Sequence, residues 1–160
     1  FRRTKLHREH LTQRYAPPMT STQAASSRRL TRIATMQILC EVDCVRHDAE
    51  AVVARRLAEE HFDSQSESFL KQVSAGVLAN LGEIDNIICG FAPSWPLNQM
   101  AIVDRNLLRI AVYEIVIWRE TPPKAAVNEA VELAKTFGSE SSSKFVNGVL
   151  GSVIESIDEK

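Results

Sequence analysis

At 160 residues, 44% of them hydrophobic, the chain is long enough for one domain or for two small subdomains sharing a core. Its formal net charge of −1 gives no global pull toward a polyanion. No apolar run approaches the ~18 residues of a membrane span, so no membrane partner is expected.

Residues 1–26 read as a disordered basic arm: Pro17 and Pro18 precede a Ser- and Thr-rich stretch with no apolar period. Residues 1–32 hold eight basic side chains (Arg2, Arg3, Lys5, Arg8, Arg14, Arg28, Arg29 and Arg32) against the single acid Glu9, while the rest of the chain holds 11 basic and 19 acidic residues. A basic end on an acidic body suits a protein that grips a polyanion through that end. The Arg, Ser and Thr content of the arm is also that of a transit segment, and Met19 is an alternative start. Cys40, Cys44 and Cys89 have no disulfide-framework spacing and read as reduced thiols. The expected compartment is the cytoplasm, or an organelle if the arm is a transit segment.

Ser26 or Ser27 is expected to cap a first helix reaching about Arg46, with Ile33, Met36, Leu39, Cys40 and Val45 on its inner stripe. Arg28, Arg29 and Arg32 lie on its first turns, where the helix dipole prefers acids, and a cluster that breaks a local rule points to function. Asp48 caps a second helix to about His61. A third, from Asp63 or Ser64 to about Gly90, carries the clearest amphipathic pattern: Phe69, Leu70, Val73, Val77, Leu81, Ile84 and Ile88. Ser94 to Leu97 form a connector. A fourth helix, with Asp104 near its start and Trp118 near its end, has the widest apolar face and is expected to be the most buried. Pro122 and Pro123 preorganise the fifth, which Gly138 ends. Ser139 to Ser143 cap the last, whose face runs from Val146 to Ile157. Useful β alternation is absent, so the fold class is all-α, a helical bundle with short connections.

Catalytic signatures are weak. Cys40, Cys44 and His47 share a helix face, but a zinc site needs a fourth ligand, usually from a second element. All four histidines lie in the first 61 residues, away from Ser141–Ser143, and no glycine-rich phosphate loop is present. The chain is therefore read as no enzyme, with no cofactor, no metal and no small-molecule substrate. Glu132 and Lys135 read as a solvated helix-face pair. Glu129, one turn inside a helix start, is placed to accept from backbone N–H groups. The basic cluster supplies candidate phosphate contacts. Lys144 beside Phe145 sets a cation against an aromatic face at a second helix start, although the pattern also allows Phe145 a core role.

Taken together, three strings resemble the NusB transcription antitermination family: Val103 to Glu114, which contains Leu108-Arg109-Ile110-Ala111-Val112-Tyr113-Glu114; Val127 to Lys135; and Lys144-Phe145-Val146-Asn147-Gly148-Val149-Leu150. Arg28-Arg29-Leu30-Thr31-Arg32, Gln37-Ile38-Leu39 and Trp95-Pro96-Leu97 extend the likeness over about residues 28–157. The resemblance implies two packed three-helix subdomains, over about 27–90 and 94–158, within an RNA-binding domain of residues 27–160. It implies binding of boxA-type single-stranded RNA together with NusE, a small-subunit ribosomal protein, in a complex with NusA, NusG and RNA polymerase that suppresses premature termination, notably in ribosomal RNA operons.

By position, Arg28, Arg29 and Arg32 match the family's arginine-rich RNA-binding start, Lys144 and Phe145 its second RNA-facing patch, and Asp104 an acidic position in the NusE contact region. Two positions depart from the family pattern: Cys40 stands where an aromatic is common, and Ser141 where an Asp is common. With about five cations on phosphates, log affinity is expected to fall with log salt at roughly −3.5, and Arg29→Ala with Arg32→Ala to flatten that slope. An alternative is a truncated NusB-like N-terminal domain of an rRNA cytosine methyltransferase.

Overall fold

The computed structural model describes residues 21–160, with side chains from Ser27 onward. The expected arm therefore lies, for residues 1–20, outside the described residues. All regular structure among the described residues is helical.

Helix α1 (Ser21–Val45) starts ahead of the expected Ser26 or Ser27 cap. Its buried hydroxyls find partners on the helix itself: Thr31 donates to the Ser27 carbonyl and Thr35 to the Thr31 carbonyl, each at 2.8 Å. Arg46, at φ 58°, ends the helix in the left-handed region. Val45, expected inward, is instead an exposed residue of this last turn. Helix α2 (Ala49–Glu59) is capped by Asp48, which accepts from Ala51 N–H, and α3 (Ser64–Ala79) by Asp63, which accepts from Ser66 N–H.

The single long helix expected from residue 63 to 90 is two. Asn80 breaks it at φ −115°, ψ 21°, where both its N–H and its side-chain amide donate to the Gly76 carbonyl. Helix α4 (Leu81–Phe91) follows at once. The apolar spacing runs through the break because Val77, Ile84 and Ile88 are fully buried on both sides of it. A short turn at Leu97–Gln99 leads into α5 (Ile102–Val112), which widens into a π-helical turn over Tyr113–Trp118. Such turns often mark functional sites. Helix α6 (Pro123–Phe137) begins with Pro at its first position, and α7 (Ser142–Asp158) completes the bundle.

Helix α5 is the axis: it packs against α1, α4, α6 and α7, and its residues Asn106 to Val112 are all buried. The main core joins Met36, Phe69, Val73, Leu108, Val112, Ala134, Val146 and Leu150, and each fully buried Leu or Phe contributes roughly 1.5–3 kcal/mol. A satellite cluster of Ala34, Ile38, Val52 and Leu70 holds α2 on α1 and α3. Helices α1 and α5 run antiparallel: Arg32, midway along α1, meets Glu114 just past the end of α5, and Cys40 and Asp43, near the end of α1, meet Ile102 and Asn106 at the beginning of α5. An ionic web fixes the register. Asp43 accepts from Arg105 and Arg109, and Arg109 also grips both oxygens of Asp85, tying α1, α4 and α5 together.

Candidate nucleic-acid interface

The three arginines of the first helix occupy three different environments. Arg28 is half-exposed, and its guanidinium lies 4.2 Å over the Phe69 ring, a cation–π contact. Burial, with Arg32 nearby, lowers its pKa. Arg29 is exposed and pairs with Glu129 through two bonds, Nε to Oε2 at 3.0 Å and Nη2 to Oε1 at 2.9 Å. The pair raises the Arg29 pKa and holds the Glu129 carboxyl below its usual range. Glu129 thus answers an arginine 100 residues away rather than the backbone N–H groups expected of it. Arg32 is buried and gives both its Nε and Nη2 to Glu114, itself bonded by Thr121 Oγ1 at 2.8 Å.

Behind this end lies an aromatic stack. Tyr113 and Trp118 are parallel at 6.1 Å, and Phe69 meets Trp118 edge-on at 5.6 Å. Gln72 Nε2 donates to the Tyr113 hydroxyl. Trp118 reaches this place because the π turn and the left-handed Arg119 (φ 61°) end α5 here.

Lys144, Phe145 and Asp104 come together elsewhere, in a groove of about 720 Å³ that also includes Trp95, Met100 and Gly148. Lys144 is exposed; Phe145 packs on the core and meets Trp95 edge-on at 6.2 Å. Phe145 therefore takes the core role that its sequence position allowed, while part of its surface lines the groove. Trp95 is 54% exposed, an apolar surface out of proportion to a connector. Asp104, in the first turn of α5, is 7% exposed, and its Oδ1 has no hydrogen-bond partner. A Cβ on Gly148 would meet nothing within 4 Å, so this glycine leaves the groove open rather than serving close helix packing.

The sequence-expected residues thus form two sites. Arg28 lines a cleft with Trp118 at one end of α5, with Arg29 paired to Glu129 of the same cleft, and Lys144, Phe145 and Asp104 lie near the other end, about 20 Å away at 1.5 Å per residue. Arg32 is not a surface residue. Trp118, Phe69, Glu114 and Trp95 carry no site role in the sequence pattern, where Phe69 belongs to a core face and Trp95 to a family string. Glu114 closed a recognised string, and Trp118 was a lone aromatic next to a proline pair. Neither gave a periodic signal.

The sequence model of the NusB family matches residues 29–155, which contain the second and third arginines, Asp104 and the Lys144-Phe145 pair. The chain belongs to the NusB family. It is 48% identical over 138 residues to the transcription antitermination protein NusB of Roseiflexus sp. (strain RS-1), covering 85% of this chain and 97% of that one. The fold of Thermotoga NusB (T. maritima, crystal form P3121) matches with a TM-score of 0.75 at 34% identity, over 80% of this chain and 90% of that one. A crystal structure of antitermination factors NusB and NusE with double-stranded RNA matches with a TM-score of 0.75 at 23% identity, over 82% and 98% of the two chains. That likeness shows the NusB fold. Arg29, Arg32, Phe69, Trp118 and Glu129 of the basic end lie inside the matched region, with Arg28 one residue ahead of it, and the groove lies wholly inside.

Proposed function

We propose that residues 27–160 act as a NusB-type RNA-binding unit: a transcription antitermination factor that holds boxA-type single-stranded RNA together with NusE and joins NusA, NusG and RNA polymerase. The observation that carries it is Arg28 and Arg29 side by side on α1, Arg28 backed by the Phe69 ring that abuts Trp118, in a chain of this family. Arginines on phosphates set register, and unstacked bases supply specificity. Lys144 and Phe145 form the second RNA contact. Arg32 acts from behind: its bond to Glu114 fixes the helix that presents Arg28 and Arg29.

Asp104 is the proposed NusE contact. Asp104 lines the groove and its Oδ1 is buried without a hydrogen-bond partner, so a donor inserted into the groove by the partner protein would relieve the cost of a buried acceptor. The role is scaffolding, without a catalytic step, in the bacterial cytoplasm. The rRNA methyltransferase alternative gains no support, since the relative covered over 97% of its length is an antitermination protein.

The test is a gel shift of boxA-type RNA with this chain, NusE and both together. Tighter binding by the pair than by either alone is expected. Equal retention of scrambled RNA defeats the boxA assignment. Asp104→Asn is expected to weaken the NusE complex with the helical spectrum unchanged, and undiminished association removes Asp104 from the interface.

A further inference from the structure

The basic end contains a cleft that the phosphate contacts leave unused. About 390 Å³ in volume, it is lined by Trp118, Pro122 and Ala125, with Arg28, Glu120 and Glu129 among its polar members. That volume falls within the ~300–1,000 Å³ of small-molecule clefts. Trp118 is a fixed platform: Tyr113 stacks on it with an interplanar angle of 14°, Phe69 abuts it edge-on, and part of its surface remains exposed.

The charges say what the cleft admits. Glu120 and Glu129 disfavour a phosphate inside it, and the Arg32 charge is already answered by Glu114. Arg28, held over Phe69, lies on its lining with a half-exposed guanidinium. A neutral flat ring bearing N–H donors fits an indole face beside carboxylate acceptors; its phosphate fits Arg28. Glu129 is committed to Arg29, which makes the exposed Glu120 the acceptor for such a ring.

We propose that this cleft seats one unstacked nucleobase of the bound RNA against Trp118, with Arg28 on the adjoining phosphate, and that Glu120 favours a base edge carrying an amino group. The proposal rests on the RNA-binding reading above and adds a base-selecting subsite to it. Base–aromatic stacking at such a platform is worth about five- to hundred-fold in affinity.

The experiment replaces each nucleotide of a labelled boxA-type RNA in turn by an abasic one and measures binding to the wild type and to Trp118→Ala, each with NusE. In the wild type one position is expected to cost about five-fold or more. In Trp118→Ala the intact RNA binds correspondingly weaker and that position's penalty disappears, while Trp118→Phe restores part of both. Glu120→Ala, which leaves no side-chain acceptor, is expected to erase the preference for an amino-bearing base there.

Intact RNA bound equally by wild type and Trp118→Ala, or every abasic penalty surviving in the variant, overturns the cleft while leaving RNA binding standing. A wild type that binds no RNA overturns both. If Trp118→Ala loses its helical spectrum, a Trp95→Phe protein decides: RNA containing the base quenches Trp118 emission and the abasic RNA does not, and equal response to the two RNAs overturns the proposal.

Discussion

Arg32 and Glu114 are joined by two hydrogen bonds, at 2.6 and 3.2 Å, across 82 residues of chain, with side chains only 7% and 1% exposed. The pair ties the middle of α1 to the π turn that follows α5. Breaking a buried pair by removing one partner leaves an unanswered charge and costs about 3–5 kcal/mol, whereas replacing both by apolar groups often costs little. Arg32→Ala is expected to lower the unfolding free energy by about that amount in urea titrations. Arg32→Met with Glu114→Leu is expected to recover most of the loss. A loss below about 1 kcal/mol for the single variant contradicts the assignment.

The same burial changes the expected salt dependence. Among the described residues, Arg28, Arg29 and Lys144 are the sequence-expected cations with exposed or half-exposed side chains. At about −0.7 per contact on single strands, they give a slope near −2, where five cations would give −3.5. Arg28→Ala with Arg29→Ala is expected to flatten the slope by about 1.4. Arg32→Ala, where folded, is expected to weaken binding at constant slope. A slope unchanged by the first pair removes those arginines from the phosphate track.

In the proposed RNA contact, Glu129 competes for Arg29, to which it is already paired. An exposed ion pair of this kind is worth roughly 0.2–1 kcal/mol, so Glu129→Gln is expected to tighten RNA binding by up to about five-fold, measured in the same titration. Weaker binding by this variant means that Glu129 orients Arg29 for the phosphate rather than withholding it.

What the sequence disclosed and what it hid have physical causes. Helix faces and caps were legible because burial period and cap chemistry are local: Asp48, Asp63 and the Pro122-Pro123 start all fall where expected. The break at Asn80 was hidden because the buried residues keep helical spacing through it. Arginine at a helix start has the same pattern whether it meets a phosphate or a buried carboxylate, so the separation of Arg32 from Arg28 and Arg29 depended on Glu114. The family strings named Lys144, Phe145 and Asp104 but not their common groove, nor their distance from the arginines, because both follow from the antiparallel packing of α1 on α5.

Asp43 ties stability to acid pH. It accepts from Arg105, Asn106 and Arg109. Desolvation pushes its pKa up, but the bonds from Asn106 and Arg105 and the Arg109 charge outweigh that and hold it below the ordinary value. Unfolded Asp43 therefore takes up its proton at a higher pH than native Asp43. Its contribution is complete above the ordinary carboxylate value of about 4 and is lost as pH falls through the depressed native value. Asp43→Asn is expected to lower stability at pH 7 and to flatten the acid limb of a stability–pH curve. Parallel acid limbs for the two proteins contradict this.

Gly76 and Gly82 separate close packing from helix propensity. A Cβ at Gly76 would collide with the Tyr113 ring at Cζ and its hydroxyl, whereas one at Gly82 would meet nothing within 4 Å. The Tyr113 ring has little room to yield, because it stacks on Trp118 and its hydroxyl is bonded to Gln72. Gly76→Ala is expected to cost about 1–3 kcal/mol, the usual range for overpacking. Gly82→Ala, at an open helical site, is expected to gain about 0.5–1 kcal/mol. Urea unfolding of the two variants reads both signs. Because Tyr113 supports Trp118, Gly76→Ala is also expected to perturb the near-ultraviolet aromatic spectrum and to weaken RNA binding, while Gly82→Ala leaves both as in the wild type. Equal effects of the two substitutions on the aromatic spectrum mean that Tyr113 does not carry the displacement to Trp118.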